Sequence, residues 1–170
     1  VEGRNGDRGY FAVGTGRGIQ MLHSRDLKEW KHLGRIFETE APGWAMEAIP
    51  KHQGVWAPDI TFHNGLYHLY YSVSSFGSQR SVIGLAVNKR LEPGHRDNRW
   101  EDRGLVIESN VGTCDFNAID PALFVDGDGR WWLFFGSFWT GLKAFELDPK
   151  TGKAKEASPK MVPVARRAPE

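Results

Sequence analysis

Two aspartates stand where chemistry could be done. Asp120 lies in Asn117-Ala118-Ile119-Asp120-Pro121, and Asp59 closes Val55-Trp56-Ala57-Pro58-Asp59. Each carboxyl is next to a proline and ahead of a strand-like run. Such an acid can cap a turn, as Asp and Asn routinely do. It can also open an innermost strand with its carboxyl facing a shared channel, where proton transfer becomes feasible. Spacing alone leaves both readings open. Two aromatic sets accompany them, Ser137-Phe138-Trp139-Thr140-Gly141 and Ser74-Ser75-Phe76-Gly77-Ser78. Either set could be hairpin packing. Either could also be a platform on which a sugar ring stacks while a hydroxyl bonds to it.

The elements that must position these residues repeat. Gly9-Tyr10-Phe11-Ala12-Val13-Gly14-Thr15, Leu66-Tyr67-His68-Leu69-Tyr70-Tyr71-Ser72 and Arg130-Trp131-Trp132-Leu133-Phe134-Phe135-Gly136-Ser137 share one pattern of turn, aromatic strand and small polar stop. Tyr10, Tyr67 and Trp131 match, 57 and then 64 residues apart. A period of that size with turn-rich strands predicts an all-β chain of radially stacked sheets, a β-propeller whose functional groups face the central channel. About three blades of antiparallel four-stranded sheet are visible, in units of about 1–50, 51–112 and 113–170. Propellers close with four to eight blades, so a partial propeller is expected.

In the first unit, strands are predicted at Tyr10 to Val13, Gly18 to Ser24 and Trp30 to Phe37; Gly, Thr and aromatic residues interrupt every helical window. In the second, Asn64-Gly65 supplies the positive φ angles of a type I′ turn between Ile60–His63 and Leu66–Ser72. Val82 to Asn88 and Gly104 to Glu108 follow. In the third, Ala122 to Val125 and Trp131 to Gly136 flank Asp126-Gly127-Asp128-Gly129, and Gly141 to Leu147 precedes the polar turn Asp148 to Lys153. The tail to Glu170 has no clear period and reads as a connection. The continuous apolar run Trp131 to Phe135 suggests a sheet buried on both faces.

Composition narrows the function. Net charge is +1, with 22 basic against 21 acidic residues, which offers no pull toward nucleic acid, membranes or polyanions. The one cysteine, Cys114, cannot form an internal disulfide and has no adjacent His to activate it. The six His show no metal-ligand spacing. Gly14-Thr15-Gly16-Arg17-Gly18 lacks the following helix that a phosphate loop uses. No run is long and apolar enough to span a bilayer, and Val1-Glu2-Gly3-Arg4 does not read as a signal peptide.

Val55-Trp56-Ala57-Pro58-Asp59-Ile60, Leu69-Tyr70-Tyr71-Ser72-Val73-Ser74, Phe76-Gly77-Ser78, Ile83-Gly84, Asn117-Ala118-Ile119-Asp120-Pro121 and Gly136-Ser137-Phe138-Trp139 together resemble the endo-1,5-α-L-arabinanases of glycoside hydrolase family 43. The likeness runs from about Tyr10 to Lys153. It implies a five-bladed propeller, of which this chain carries about three blades, and inverting hydrolysis of internal α-1,5 bonds in arabinan. It implies that Asp120 is the carboxylate that raises the general acid's pKa and holds that acid in place. It implies a substrate groove lined by Asn117, Ala118, Ile119 and Asp120 at the central subsite and Ser137, Phe138 and Trp139 beside it, with Gly77, Phe76 and Trp56 completing the wall.

The general base and general acid that the resemblance implies, in His-Asp-Pro and Glu-Ala-Pro runs, have no match here. Asp7 and Glu2 are poor substitutes for the base, and Glu170 is not assigned as the acid. No cofactor is required. The resemblance implies an ion at the centre of a complete propeller, but no residue here is identified as its ligand. The implied partner is arabinan or an arabino-oligosaccharide, and the implied location is outside the cell. Open blade edges favour self-association. Other family activities (arabinofuranosidase, β-xylosidase) and a non-catalytic carbohydrate-binding or structural part-propeller are the alternatives.

Overall fold

A computed structural model describes residues 1–166. Three antiparallel sheets follow one another along the chain. The first holds β1 (Tyr10–Gly14), β2 (Gln20–Ser24) and β3 (Lys31–Arg35), in that order. The second holds β4 (Val55–His63), β5 (Leu66–Ser74), β6 (Ser81–Asn88) and β7 (Glu101–Ser109). The third holds β8 (Ala122–Val125), β9 (Trp131–Phe135) and β10 (Leu142–Asp148), with β11 (Lys153–Ala154) and β12 (Val162–Ala165) both paired to β10. This is the blade pattern of a partial propeller. The β4–β5 turn has Asn64 and Gly65 at φ 50° and 79°, the left-handed pair that a type I′ hairpin requires.

The sheets differ from the expected four strands apiece. The first has three, and the place that β4 and β8 take in the other sheets is marked only by a Glu2–Tyr10 bridge. The third gains β12 from the tail read as a connection. All four β12 residues are exposed, so no alternation betrays the strand, and its Pro163 is tolerated because this is an edge. β4 starts at Val55, five residues earlier than Ile60, because a bulge between Trp56 and Asp59 absorbs Ala57 and Pro58 and lets pairing continue.

One short helix, α1 (Gly43–Ala48), was not expected. Its six residues are too few to show periodicity or to be stable alone. Tertiary contacts hold it: Ala45 and Ile49 are buried in the seam between the first two sheets, and Trp44 Nε1 donates to Asp102 Oδ2 at 2.8 Å.

The core lies between sheets. Tyr70, Ile83, Leu85, Trp131, Leu133, Phe135 and Phe145 fill the seam of the second and third. Leu69, Tyr71, Val73, Val82 and Ala86 pack on the other side of the second sheet. Among the described residues only that sheet is buried on both faces: every β6 residue is buried, and every β5 residue but Leu66. The third sheet is not, contrary to the expectation from its apolar run. Trp131, Leu133 and Phe135 are buried, Trp132 and Phe134 are half-buried, and their neighbour Phe124 is 53% exposed. The reason is that, among the described residues, no sheet packs against that face.

The second sheet is packed tightly enough to reject one methyl group. The Tyr71 ring lies over Gly84, and its hydroxyl donates to Asp102 Oδ1 at 2.9 Å. A Cβ at Gly84 would overlap the ring and sit 2.5 Å from its hydroxyl oxygen. Gly84→Ala is therefore expected to cost about 1–3 kcal/mol in urea unfolding, as overpacked core sites do. A loss too small to measure would mean that the ring swings aside freely.

Candidate active site

The functional end of the sheets is set by topology. The β1–β2, β5–β6, β7–β8 and β9–β10 connections and the start of β4 all fall at one end. Asp120 lies two residues ahead of β8, and Trp56 is the second residue of β4. Ser72, at the far end of β5 and fully buried, joins the two. Its hydroxyl donates to the Trp56 carbonyl at 3.1 Å and accepts from the Asp120 amide at 3.3 Å. Thr15, the equivalent polar stop after β1, accepts from the Ala57 amide at 3.0 Å. Ala57 has φ 42°, the left-handed backbone of the bulge. The small polar residues that end the first two aromatic strands, Thr15 and Ser72, thus bond the neighbouring motif into place.

The Asn117–Ile119 run is a buried rail. Ser74 Oγ lies 2.7 Å from Ser81 Oγ, and Ser81 Oγ donates to Asn117 Oδ1 at 2.6 Å. Ser109 Oγ accepts from the Ala118 amide at 3.0 Å, and Ile119 O accepts from the Gly136 amide at 2.8 Å. Asn117, Ala118 and Ile119 are all buried. Their side chains support the site, and Asp120 alone emerges. Its φ of 55° turns it out of the rail. Asp120 is exposed as a residue, yet partial burial of its carboxyl raises that group's pKa.

Asp59 lies deeper, past the bulge. Its Oδ2 accepts from the Leu123 amide at 2.9 Å, so it ties β4 to β8. It faces a cleft of about 450 Å³ shared with Tyr10, Ala12, Trp30 and Pro58. Burial raises its pKa, opposed by the Leu123 hydrogen bond. The turn-and-anchor reading of this aspartate has a visible basis, because its carboxylate ties β4 to β8.

The aromatic sets sit in turns at the same end. Phe76 and Gly77 occupy the β5–β6 turn and are exposed; Phe138 and Trp139 occupy the β9–β10 turn and are 82% and 46% exposed, with Ser137 half-buried. Side chains this apolar and this accessible are what a sugar-binding wall presents. Asp7 is excluded as a proton carrier, because its carboxylate is fully buried and bonded to Arg90, Leu91, Glu92 and Tyr67. Glu2 is exposed and paired with Arg4. Glu170 lies outside the described residues. Among the described residues no three His, Cys, Asp or Glu converge as a metal site.

The family model of the glycosyl hydrolases family 43 matches residues 3–167. The chain belongs to that family. An extracellular exo-α-(1→5)-L-arabinofuranosidase of Cellvibrio japonicus is 50% identical over 146 residues, which are 85% of this chain and 42% of that protein. An extracellular endo-α-(1→5)-L-arabinanase of Bacillus subtilis is 47% identical over 148 residues, 85% of this chain and 44% of that protein. The chain thus spans less than half the length of these curated relatives. The solved Cellvibrio cellulosa α-L-arabinanase complexed with arabinohexaose superposes with a TM-score of 0.90 at 43% identity, covering 99% of this chain and 53% of that one. As a family 43 segment, the chain carries the sheets of a partial five-bladed propeller. Ser72, Ser81, Ser109 and Thr15 were not among the expected site residues. The one sequence signal for them is the small polar stop that Thr15 and Ser72 share.

Proposed function

We propose that the protein carrying this segment cleaves internal α-1,5-linked L-arabinofuranosyl bonds of arabinan by inversion, with Asp120 tuning and holding the general acid. One observation carries the reading: Asp120 alone leaves a buried rail, beside Trp56, at the end that also presents Phe76, Phe138 and Trp139. An inverting reaction needs an acid and a base roughly 6.5–9.5 Å apart with a water between. A carboxylate near the acid disfavours its ionisation and keeps it protonated near neutral pH. We assign neither acid nor base among the described residues, and so expect this chain alone to turn over arabinan weakly or not at all, since each step contributes roughly 10²–10⁴-fold. Asn117, Ala118 and Ile119 act by holding Asp120, while Ser137, Phe138, Trp139, Phe76, Gly77 and Trp56 meet the sugar. The names of the two relatives support a secreted protein, and the near-neutral charge supports a neutral polysaccharide as partner.

Titration with arabinohexaose, followed by Trp fluorescence, tests the reading. Binding is expected, and Trp139→Ala should weaken it by up to about tenfold, the worth of one stacked ring at roughly 0.5–1.5 kcal/mol. No binding by the unaltered chain, or none of that loss, would end the reading. Release from chain ends is the second reading, favoured by the 50% identity to an exo-acting relative. Arabinose or one short oligosaccharide as the first product, instead of a ladder, would decide for it.

A further inference from the structure

The β9–β10 turn that presents Phe138 and Trp139 is held in a conformation it would not choose. Phe138 and Trp139 have φ of 55° and 39°, two successive left-handed residues with bulky side chains. Such residues adopt that backbone only when their surroundings over-determine it. Three contacts from one residue of the β7–β8 connection do so here. The Asp115 carbonyl accepts from the Thr140 amide at 3.2 Å and from Thr140 Oγ1 at 2.6 Å. The Asp115 carboxylate lies 3.4 Å from Lys143 Nζ.

Lys143 is an unusual partner. It lies in β10 opposite Phe135, and its side chain is only 9% exposed, whereas that of Asp115 is 64% exposed. A lysine that buries its stem this fully delivers its ammonium at one place, without the freedom a surface lysine keeps. Although desolvation works the other way, hydrogen bonding, including that of the Lys143 ammonium, holds the Asp115 carboxyl below its usual range. Gly141 closes the turn. Its amide donates to Phe138 O at 2.6 Å, and a Cβ there would collide with Ala165 O of β12.

We propose that Asp115, Thr140 and Lys143 form a latch that positions the Phe138–Trp139 platform for sugar stacking. They are positioning residues that do not touch the sugar, and the latch crosses from the loop bearing Asp120 to the loop bearing the aromatics. One physical tie therefore sets the spacing between the carboxyl and the neighbouring subsite. This role rests on the sugar-binding reading above.

Thr140→Val keeps the side-chain shape and removes the 2.6 Å bond to Asp115. Thr140→Ser keeps the bond. Lys143→Met replaces the buried stem and removes the amine. Two readouts apply to the whole chain: affinity for arabinohexaose, and hydrogen exchange at the Thr140 and Gly141 amides without sugar. Thr140→Val and Lys143→Met should each weaken binding roughly 3- to 10-fold, the range of one hydrogen bond. Exchange at the turn should quicken by a similar factor, with β9 and β10 amides unchanged, and Thr140→Ser should restore both. If Trp139→Ala weakens binding while Thr140→Val and Lys143→Met leave affinity and exchange unaltered, the latch is overturned. If exchange quickens but the unaltered chain binds no arabinohexaose, the sugar-binding reading fails and takes the positioning role with it.

Discussion

Replacing Asp7 by alanine is expected to destabilise the chain by about 3–5 kcal/mol, the range seen when one partner of a buried ion pair is removed. The Asp7 side chain is 0% exposed and its carboxylate is saturated. Arg90 Nε donates to Oδ1 at 3.0 Å, the Leu91 amide to Oδ2 at 2.8 Å and the Glu92 amide to Oδ1 at 3.1 Å; the Tyr67 hydroxyl lies 3.2 Å from Oδ2. Burial pushes the Tyr67 phenol up to about 12, with the Asp7 charge adding to it, so the hydroxyl keeps its proton and can donate. Alanine would leave a guanidinium, two amides and a phenol short of partners in one place, each with its own desolvation cost. The residues tied together come from the chain's first ten residues and from the connection after β6. Losing them unties the segment ahead of β1 from the second sheet. Urea unfolding of Asp7→Ala, Arg90→Met and the double variant measures the effect. Additive losses, or a loss for Asp7→Ala below about 1 kcal/mol, would contradict the account.

Acid should destabilise the chain through His68. This ring is 5% exposed, stands edge-on to Trp131 at 5.0 Å, and has no hydrogen-bond partner at Nδ1. Burial pushes its pKa down from 6.5 to about 4. The unfolded chain therefore binds a proton near pH 6.5 while the folded chain still refuses it. Stability from this group is full above pH 6.5, falls as pH drops from 6.5 to 4, and falls no further below that. The linked loss is roughly 3 kcal/mol, at about 1.36 kcal/mol for each pH unit between the two values. Asp59 and Asp120 act in the opposite sense, because their raised pKa values make the folded state bind protons more readily as pH falls. Stability measured from pH 7.5 to 4 for the unaltered chain and for His68→Phe separates them. The variant keeps a ring against Trp131 and should show a flatter slope; equal slopes would remove His68 from the account.

Much of the architecture could be read directly from residue order. The Asn64-Gly65 hairpin, the three aromatic strands and the polar Asp126–Gly129 and Asp148–Lys153 turns rest on local backbone preferences that tertiary contacts did not override. β12 and α1 could not be read, because an exposed four-residue edge strand and a six-residue helix carry too little periodicity. The bulge in β4 was hidden for a related reason. Ala57-Pro58 looks like the end of pairing, and only the Thr15 and Ser72 bonds show that the strand passes through it. At the site, Asp120 and the exposed aromatics were legible as motifs. Asn117, Ala118 and Ile119 were legible too, but as a lining and not as the buried rail they form.

Residue order by itself determined the repeat, the strand-and-turn alphabet and the family, because each is written in contiguous residues. Tertiary structure decided which polar groups meet. Ser72 reaching Asp120 across 48 positions, Asp59 holding Leu123 across 64, and Asp7 capping the loop at Leu91 across 84 all join segments far apart in the chain. A hydrogen bond is satisfied within about 3 Å of space, whatever the distance along the chain, so packing of the sheets must come first.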